Sequence, residues 1–330
     1  MDINGGLSVK YNTEDWVKHG QELRRPLLVH PSIKEGDTSV IIGGGLSGMV
    51  VGYRIVKKSP QRKVIIIEKK DHLGGTIETW KSGDWLCDVA VSSARPHPAF
   101  WRLVNDLELG DSFHESREEA KERWVFLDGE YIKMSWKIIF KIGIMKLLKS
   151  LMASKRGGLS VSELVPNKSF ADAMTLGIVN QYSENVDADF LFPSLTKFGD
   201  NPPLGSRRLA KKIRDTYPLF TPNRGSFGSF ECGMTDLTDK LARELDEMPN
   251  VSIILGSKYD SLTEISQEFG VPTGAIIWSA PGILQKKAGS DVSVFAVGYR
   301  ELDVSRVPVG YGTLYPDNDI VFSGVLHESD

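Results

Sequence analysis

The sequence predicts an α/β chain organised around a parallel sheet, with a second region of mixed helices and strands interleaved with it. Three observations carry this. An apolar run at 39–42 meets a glycine-rich turn and then a helical run that extends to residue 58. A second apolar run, "KVIIIE" at 63–68, follows within the roughly thirty residues that a strand–helix–strand unit occupies. Both runs are apolar on consecutive positions, as strands covered on two faces must be.

Length and composition agree with this class. A chain of 330 residues exceeds one ordinary core and predicts two domains. With 41% hydrophobic and 25% charged residues it can bury a core, which excludes wholesale disorder. A net charge of −3 provides no general field for nucleic acid. Cys87 and Cys232 are too few for a disulfide framework, no Cys/His cluster has metal-ligand spacing, and both thiols are expected reduced and buried. No apolar run approaches the ~20 residues of a membrane span. Residues 1–37 are polar, contain Pro26 and Pro31, and read as a peripheral extension without the features of a signal or transit peptide.

The elements follow in order. A strand at 39–42 leads through the glycine turn into a helix at 46–58, which Ser59 and Pro60 end. A strand at 63–68 completes the unit. An amphipathic helix is expected at 98–109, with Pro98 at its start. Residues 124–134 alternate around Asp128–Gly129, the signal of a two-residue hairpin turn. The stretch 136–152 places apolar residues at helical spacing among Lys137, Lys141, Lys146 and Lys149. Helices are expected at 169–181 and 234–245, the latter capped by Thr235, with a linker at 200–206 between them. Strands are expected at 251–255, 274–280 and 292–299.

The chemistry is concentrated in the first turn. Gly43, Gly45 and Gly48 fit G-x-G-x-x-G between a strand and a helix, the context that gives this short pattern its meaning. Gly43 lets the chain leave the strand sharply, Gly45 lets a pyrophosphate approach the backbone, and Gly48 lets the helix lie close to the sheet. The helix start then offers amide donors and a positive dipole end to phosphate. Glu68 closes the second strand, where a carboxylate can accept ribose hydroxyls and disfavour a 2′-phosphate.

A second glycine pair, Gly74–Gly75, follows in "EKKDHLGGTIETW" (68–80). This stretch resembles the second dinucleotide signature of flavoproteins of the amine oxidase and protoporphyrinogen oxidase superfamily, with His72 where that signature has an arginine. The resemblance implies FAD in place of NAD. Further stretches are similar to protoporphyrinogen oxidases in the same order: "RWVFLDGEYIKM" (123–134), "SFADAMTLGIVNQYSENVDADFLFPSLTKF" (169–198), "GSFGSFECGMTDLTDKLARE" (225–244) and "VSVFAVGYRELDVSRVPVGYGTLYP" (292–316).

That resemblance implies an FAD-binding Rossmann-like domain of the glutathione-reductase type from 38–110 and 225–290. It also implies a helical, membrane-facing domain at 111–224 and substrate-domain strands at 291–330. It implies hydride transfer from protoporphyrinogen IX to FAD, with molecular oxygen as final acceptor. By position, Gly43, Gly44, Gly45, Leu46, Ser47 and Gly48 would cradle the pyrophosphate, and Glu68 and Lys69 would meet the adenosine ribose. Gly75 and Thr76 would lie by phosphate and flavin. Ser92 falls in the loop near the flavin, Tyr259 at an adenine contact, and Arg95 would hold a propionate carboxylate of the porphyrinogen. No catalytic base is assigned, no metal site is expected, and His19, His30, His72, His97, His114 and His327 read as surface or packing residues. The resemblance favours a membrane surface as the partner of 136–152 and a peripheral place on the mitochondrial inner membrane; a homodimer is left open. A C-terminal segment that closes over the flavin in such proteins has no counterpart after "VLHESD". A non-catalytic FAD-binding protein of the same fold and another amine-oxidase-type flavoenzyme are the alternative readings.

Overall fold

The structure is a computed structural model that describes residues 38–94, 98–127, 129–135, 158–191, 227–281, 292–305, 307–316 and 320–327. Arg95, Asp128, the basic stretch 136–152 and the linker 200–206 lie outside the described residues. The elements run β1 (Thr38–Ile42), α1 (Leu46–Lys58), β2 (Lys63–Ile67), β3 (Thr79–Ser82), β4 (Trp85–Asp88), α2 (Pro98–Asp106), β5 (Phe113–Glu115), β6 (Arg123–Leu127) and β7 (Glu130–Lys133). They continue with α3 (Val161–Leu164), α4 (Lys168–Val179), α5 (Ala188–Leu191), β8 (Gly228–Phe230), α6 (Thr235–Asp246), β9 (Val251–Ile254), α7 (Leu262–Phe269), β10 (Ile276–Trp278), β11 (Gly312–Leu314) and β12 (Gly324–Leu326). Contacts divide the described residues into two units: one holds 38–94, 98–115, 227–281 and 292–298, the other 116–127, 129–135, 158–191, 299–305, 307–316 and 320–327.

The first unit is built on a parallel sheet of order β10-β1-β2-β9. Its register pairs Val40 with Ile276 on one side and Ile65 on the other, and Ile65 with Ser252. Because neighbouring residues of a strand face opposite ways, the unbroken apolar runs feed two cores at once. Ile41, Val64 and Ile66 face α1, close enough that a side chain at Gly52 would touch all three. Met49 and Tyr53 of α1 are buried on this side, as are Leu237, Leu241 and Leu245 of α6, which packs on α1. On the opposite face Val40, Ile42 and Ile67 pack with Ile265 of α7, Val271 and Ala275. Each such buried Val, Leu, Ile or Met side chain stabilises the fold by about 1.5–3 kcal/mol. A buried Phe113 pairs across β5 and β8 with Phe230, and their rings meet edge to face at 5.1 Å.

The second unit carries a sheet of order β12-β11-β6-β7, in which β11 runs parallel to β6 and the other pairs are antiparallel. Val125 of β6 is buried with Val161 and Leu164 of α3 and with Phe170, Ala171 and Ala173 of α4. Ser160 and Glu163 form a reciprocal capping box on α3, and Asn167 caps α4. Asn180 ends α4 in the left-handed conformation, with φ of 49°.

Several expectations need correction. Residues 292–299 form no strand. Val292, Val294, Phe295 and Val297 are exposed, and no neighbouring chain among the described residues supplies a ladder. Alternation prepares a strand, but only a partner's amides and carbonyls make one. Thr235 is not the cap of α6: Met234 holds that position, and no side chain of the cap itself bonds to the helix. The run expected as a strand at 274–280 begins in a tight 3₁₀ turn, so the strand shortens to Ile276–Trp278. Cys87 is only half-buried and Cys232 is exposed, because both stand on turns and hairpin edges. The helix α7 was not anticipated.

Candidate dinucleotide site

The site forms at the carboxyl ends of β1 and β2. Gly43 leaves β1 with φ of +105°, a conformation that side chains rarely adopt, and a Cβ there would lie 3.0 Å from the backbone of Ser279. Gly48 is closer still: a Cβ would stand 1.9 Å from the carbonyl oxygen of Gly43. The turn and helix can therefore close on each other only without those side chains. Gly45 caps α1 with no side-chain bond, and the first helical bond runs from Met49 N–H to the Gly45 carbonyl at 3.0 Å. The amides of Leu46, Ser47 and Gly48 thus stand ahead of the helical ladder, and the first turn holds no acidic side chain. That end of α1 is electropositive and suited to phosphate.

The second glycine pair lies against the first. Gly74 N–H donates to the Gly44 carbonyl at 2.9 Å, and Gly45 and Gly74 form an isolated parallel bridge. Gly75 has φ of +70°, and a Cβ on it would reach within 2.9 Å of the Gly45 Cα. Two bare stretches of backbone therefore meet at the start of α1.

Glu68 stands beside this junction, 6% exposed. Its Oε2 accepts from Gly44 N–H at 2.7 Å, and its Oε1 accepts from Lys70 N–H at 3.0 Å. Two carboxylate oxygens offer about four acceptor sites, so two remain for vicinal hydroxyls of a ribose. Lys70 was missed in the sequence. Its ammonium donates to the Gly75 carbonyl at 2.8 Å and brings a positive charge to the glycine junction. The doublet Lys69–Lys70 was the available signal; Lys69 is exposed, whereas the turn folds Lys70 inward. His72 does not take up an arginine's role: it is exposed and its Nδ1 lies 2.7 Å from its neighbour Asp71.

The remaining expected residues spread more widely. Thr76 is exposed one step past the junction. Ser92 is half-buried on the run that leads to Ala94, which exchanges backbone bonds with Gly228. The Gly256–Ser257 turn bonds back to the carbonyls of Lys70 and Glu68, which brings the chain before Tyr259 to this end of the sheet. Tyr259 itself donates to Glu268 at 2.7 Å and packs edge to face on Phe269. That carboxylate holds its phenol neutral and pushes its pKa up to about 12. Glu68, Gly44, Gly45, Gly75 and Lys70 thus converge. Arg95 lies outside the described residues. Among the described residues no cluster of ligating side chains could hold a metal ion.

Comparison with known proteins fits this geometry. The family described as NAD(P)-binding Rossmann-like domain matches residues 41–107. Over 60 residues the chain is 35% identical to an uncharacterised protein of Acanthamoeba polyphaga mimivirus, a match covering 18% of this chain and 12% of that protein. Over 80 residues it is 32% identical to protoporphyrinogen oxidase 1, chloroplastic, of Arabidopsis thaliana, covering 22% of this chain and 15% of that one. A solved oxidoreductase of Methanosarcina mazei aligns at 16% identity and a TM-score of 0.43, covering 67% of this chain and 51% of that chain. A solved putrescine oxidase aligns at 15% identity and a TM-score of 0.42, again over 67% and 51%. The chain thus spans about half the length of these solved proteins, and the sequence matches take in a far smaller part of the relatives. The parallel sheet, the glycine turn and the family match together make residues 41–107 part of a Rossmann-like dinucleotide-binding domain.

Proposed function

We propose that this chain binds FAD and serves the oxidation of protoporphyrinogen IX to protoporphyrin IX, with molecular oxygen as acceptor. The observation that carries the cofactor reading is the meeting of two glycine turns, Gly43–Gly45 and Gly74–Gly75, beside the buried carboxylate of Glu68. A nicotinamide site asks only for the first of these turns. Glu68 would take the adenosine ribose, the amides of Leu46, Ser47 and Gly48 the pyrophosphate, and Lys70 would supply the positive charge that His72 does not. FAD held there would supply two-electron oxidation of a porphyrinogen carbon, with oxygen as final acceptor and hydrogen peroxide as its reduced product. The protein's part is to bind, orient and shield; Arg95 would hold a propionate carboxylate by its planar fork.

Support for the porphyrinogen comes from the 80-residue similarity to the Arabidopsis enzyme and from the order of the resembling stretches along the chain. With this reading go a peripheral place on the mitochondrial inner membrane and contact of 136–152 with the lipid surface. No helix among the described residues is long and apolar enough to cross a membrane. A second reading, an FAD-binding protein of the same fold without oxidase activity, is favoured by the exposed His72 at the arginine position.

Purification followed by a visible spectrum and an FAD titration tests the cofactor. A protein that stays colourless and ignores added FAD ends both readings. Addition of protoporphyrinogen to flavin-loaded protein then separates them: growing porphyrin fluorescence supports the oxidase, and flavin without fluorescence supports the second reading.

A further inference from the structure

We infer that Thr79 and Asp88 are positioning residues for the phosphate-binding turn at Gly74–Gly75, acting through helix α6; the inference rests on the dinucleotide reading above. The cap of α6, Met234, has no side-chain acceptor to offer its own helix. The first amides of that helix are taken by a distant hairpin instead. Met234 N–H donates to Asp88 Oδ1 at 3.0 Å, and Thr235 N–H donates to Thr79 Oγ1 at 3.1 Å. Thr79 and Asp88 are direct partners across β3 and β4, and the Thr79 hydroxyl donates to Asp88 Oδ1 at 2.5 Å. Gly233 makes the approach close enough, since a Cβ there would stand 2.4 Å from the Thr79 methyl.

The same stretch of chain is fixed at its other end. Gly74 is bonded to the Gly44 carbonyl, and Thr79 lies five residues on. Between these anchors, α6 presents Thr238, whose hydroxyl lies 3.6 Å from the position of a Gly74 Cβ. Thr238 is 2% exposed, and its own hydroxyl is tied to the Thr235 carbonyl. The clamp therefore seats α6 behind Gly74 and fixes how closely Gly75 approaches Gly45. The ribose side of the site has a separate support: Glu68 is anchored by backbone bonds to Ile254 and Ser257 of the first unit. Loosening the clamp should thus disturb phosphate contacts and spare the adenosine end.

The test uses the full 330-residue chain. ADP and AMP are titrated calorimetrically into the unaltered protein, Thr79→Val and Thr79→Ser. Valine keeps the shape and removes the hydroxyl; serine restores it. Thr79→Val is expected to lose about tenfold in ADP affinity, the worth of one well-placed hydrogen bond, with AMP changed less than about twofold. Thr79→Ser should return ADP binding to the parental value. Should Thr79→Val fail to fold, Asp88→Asn carries the same comparison, with a smaller loss confined to ADP. Equal losses for ADP and AMP, or no loss for either, overturn the inference and leave the dinucleotide reading standing. Failure of the unaltered chain to bind either nucleotide overturns both.

Discussion

The carboxylate of Glu68 gives the sharpest prediction, because it braces the turn through two backbone amides and, in the proposed function, also meets the ribose. Replacement by glutamine keeps the shape of the side chain and one acceptor oxygen. The parent carboxylate receives two backbone bonds, from Gly44 at 2.7 Å and from Lys70 at 3.0 Å. In Glu68→Gln only one of these amides can find the oxygen, and the other faces an NH2 group. A hydrogen bond to a charged group contributes about 1.5–3 kcal/mol, and a buried donor left unpaired costs about 1–3 kcal/mol. The two overlap, so a loss of about 2–4 kcal/mol in unfolding free energy is expected. Urea denaturation followed by tryptophan fluorescence measures it, at constant slope of free energy with denaturant. FAD affinity should fall by roughly tenfold or more in the same variant, since the ribose loses a charged acceptor. An unchanged urea midpoint would refute the structural assignment of Glu68. A lowered midpoint with unchanged FAD affinity would instead show that the carboxylate braces the turn without meeting the ribose.

Two further outcomes follow from single side chains. Lys70→Met removes the ammonium from the Gly75 carbonyl, so ADP affinity should fall roughly tenfold at low salt and the salt dependence of binding should flatten; ADP titrations at two ionic strengths check this, and an unaltered salt slope would place Lys70 outside the phosphate field. In the second unit, burial holds the His327 imidazole below its usual range, with Nε2 3.3 Å from the Thr313 hydroxyl. The unfolded chain therefore takes up a proton first, so stability is full above about pH 6.5 and declines as the pH drops towards the lowered folded value. His327→Gln should flatten the thermal midpoint across that window, and a parental midpoint equally flat from pH 5 to 7.5 would contradict it.

Legibility in the sequence tracked the distance over which each constraint acts. The first strand–turn–helix was readable because its causes lie within one short stretch: α1 spans Leu46–Lys58 as anticipated, and β1 differs from expectation by one residue. Its glycines are dictated by contacts with their own turn, such as Gly48 against Gly43. The hairpin of Arg123–Leu127 and Glu130–Lys133 was readable for the same reason. In α7 the local signals lie at its ends alone: Ser261 caps it and Gly270 ends it at φ of +63°. Its apolar stripe is thin, with only Ile265 fully buried, so periodicity gave little sign of it.

The support of the site was not readable, and the physics explains why. A helix cap normally comes from the residue at the helix start, and a sequence pattern can look only there. Helix α6 takes its cap from residues separated from it by 146 and 156 positions. No periodicity encodes such a bond, because only the folded sheet brings the hairpin to Gly233. Lys70 illustrates the same limit over a shorter span: two adjacent lysines are alike in sequence, and the backbone turn after Glu68 decides which ammonium reaches Gly75. Residues that touch a dinucleotide are thus specified by local backbone geometry, whereas residues that hold those contacts in place are specified by tertiary packing. Substitutions in the second group can therefore alter binding selectively while leaving every motif in the sequence intact.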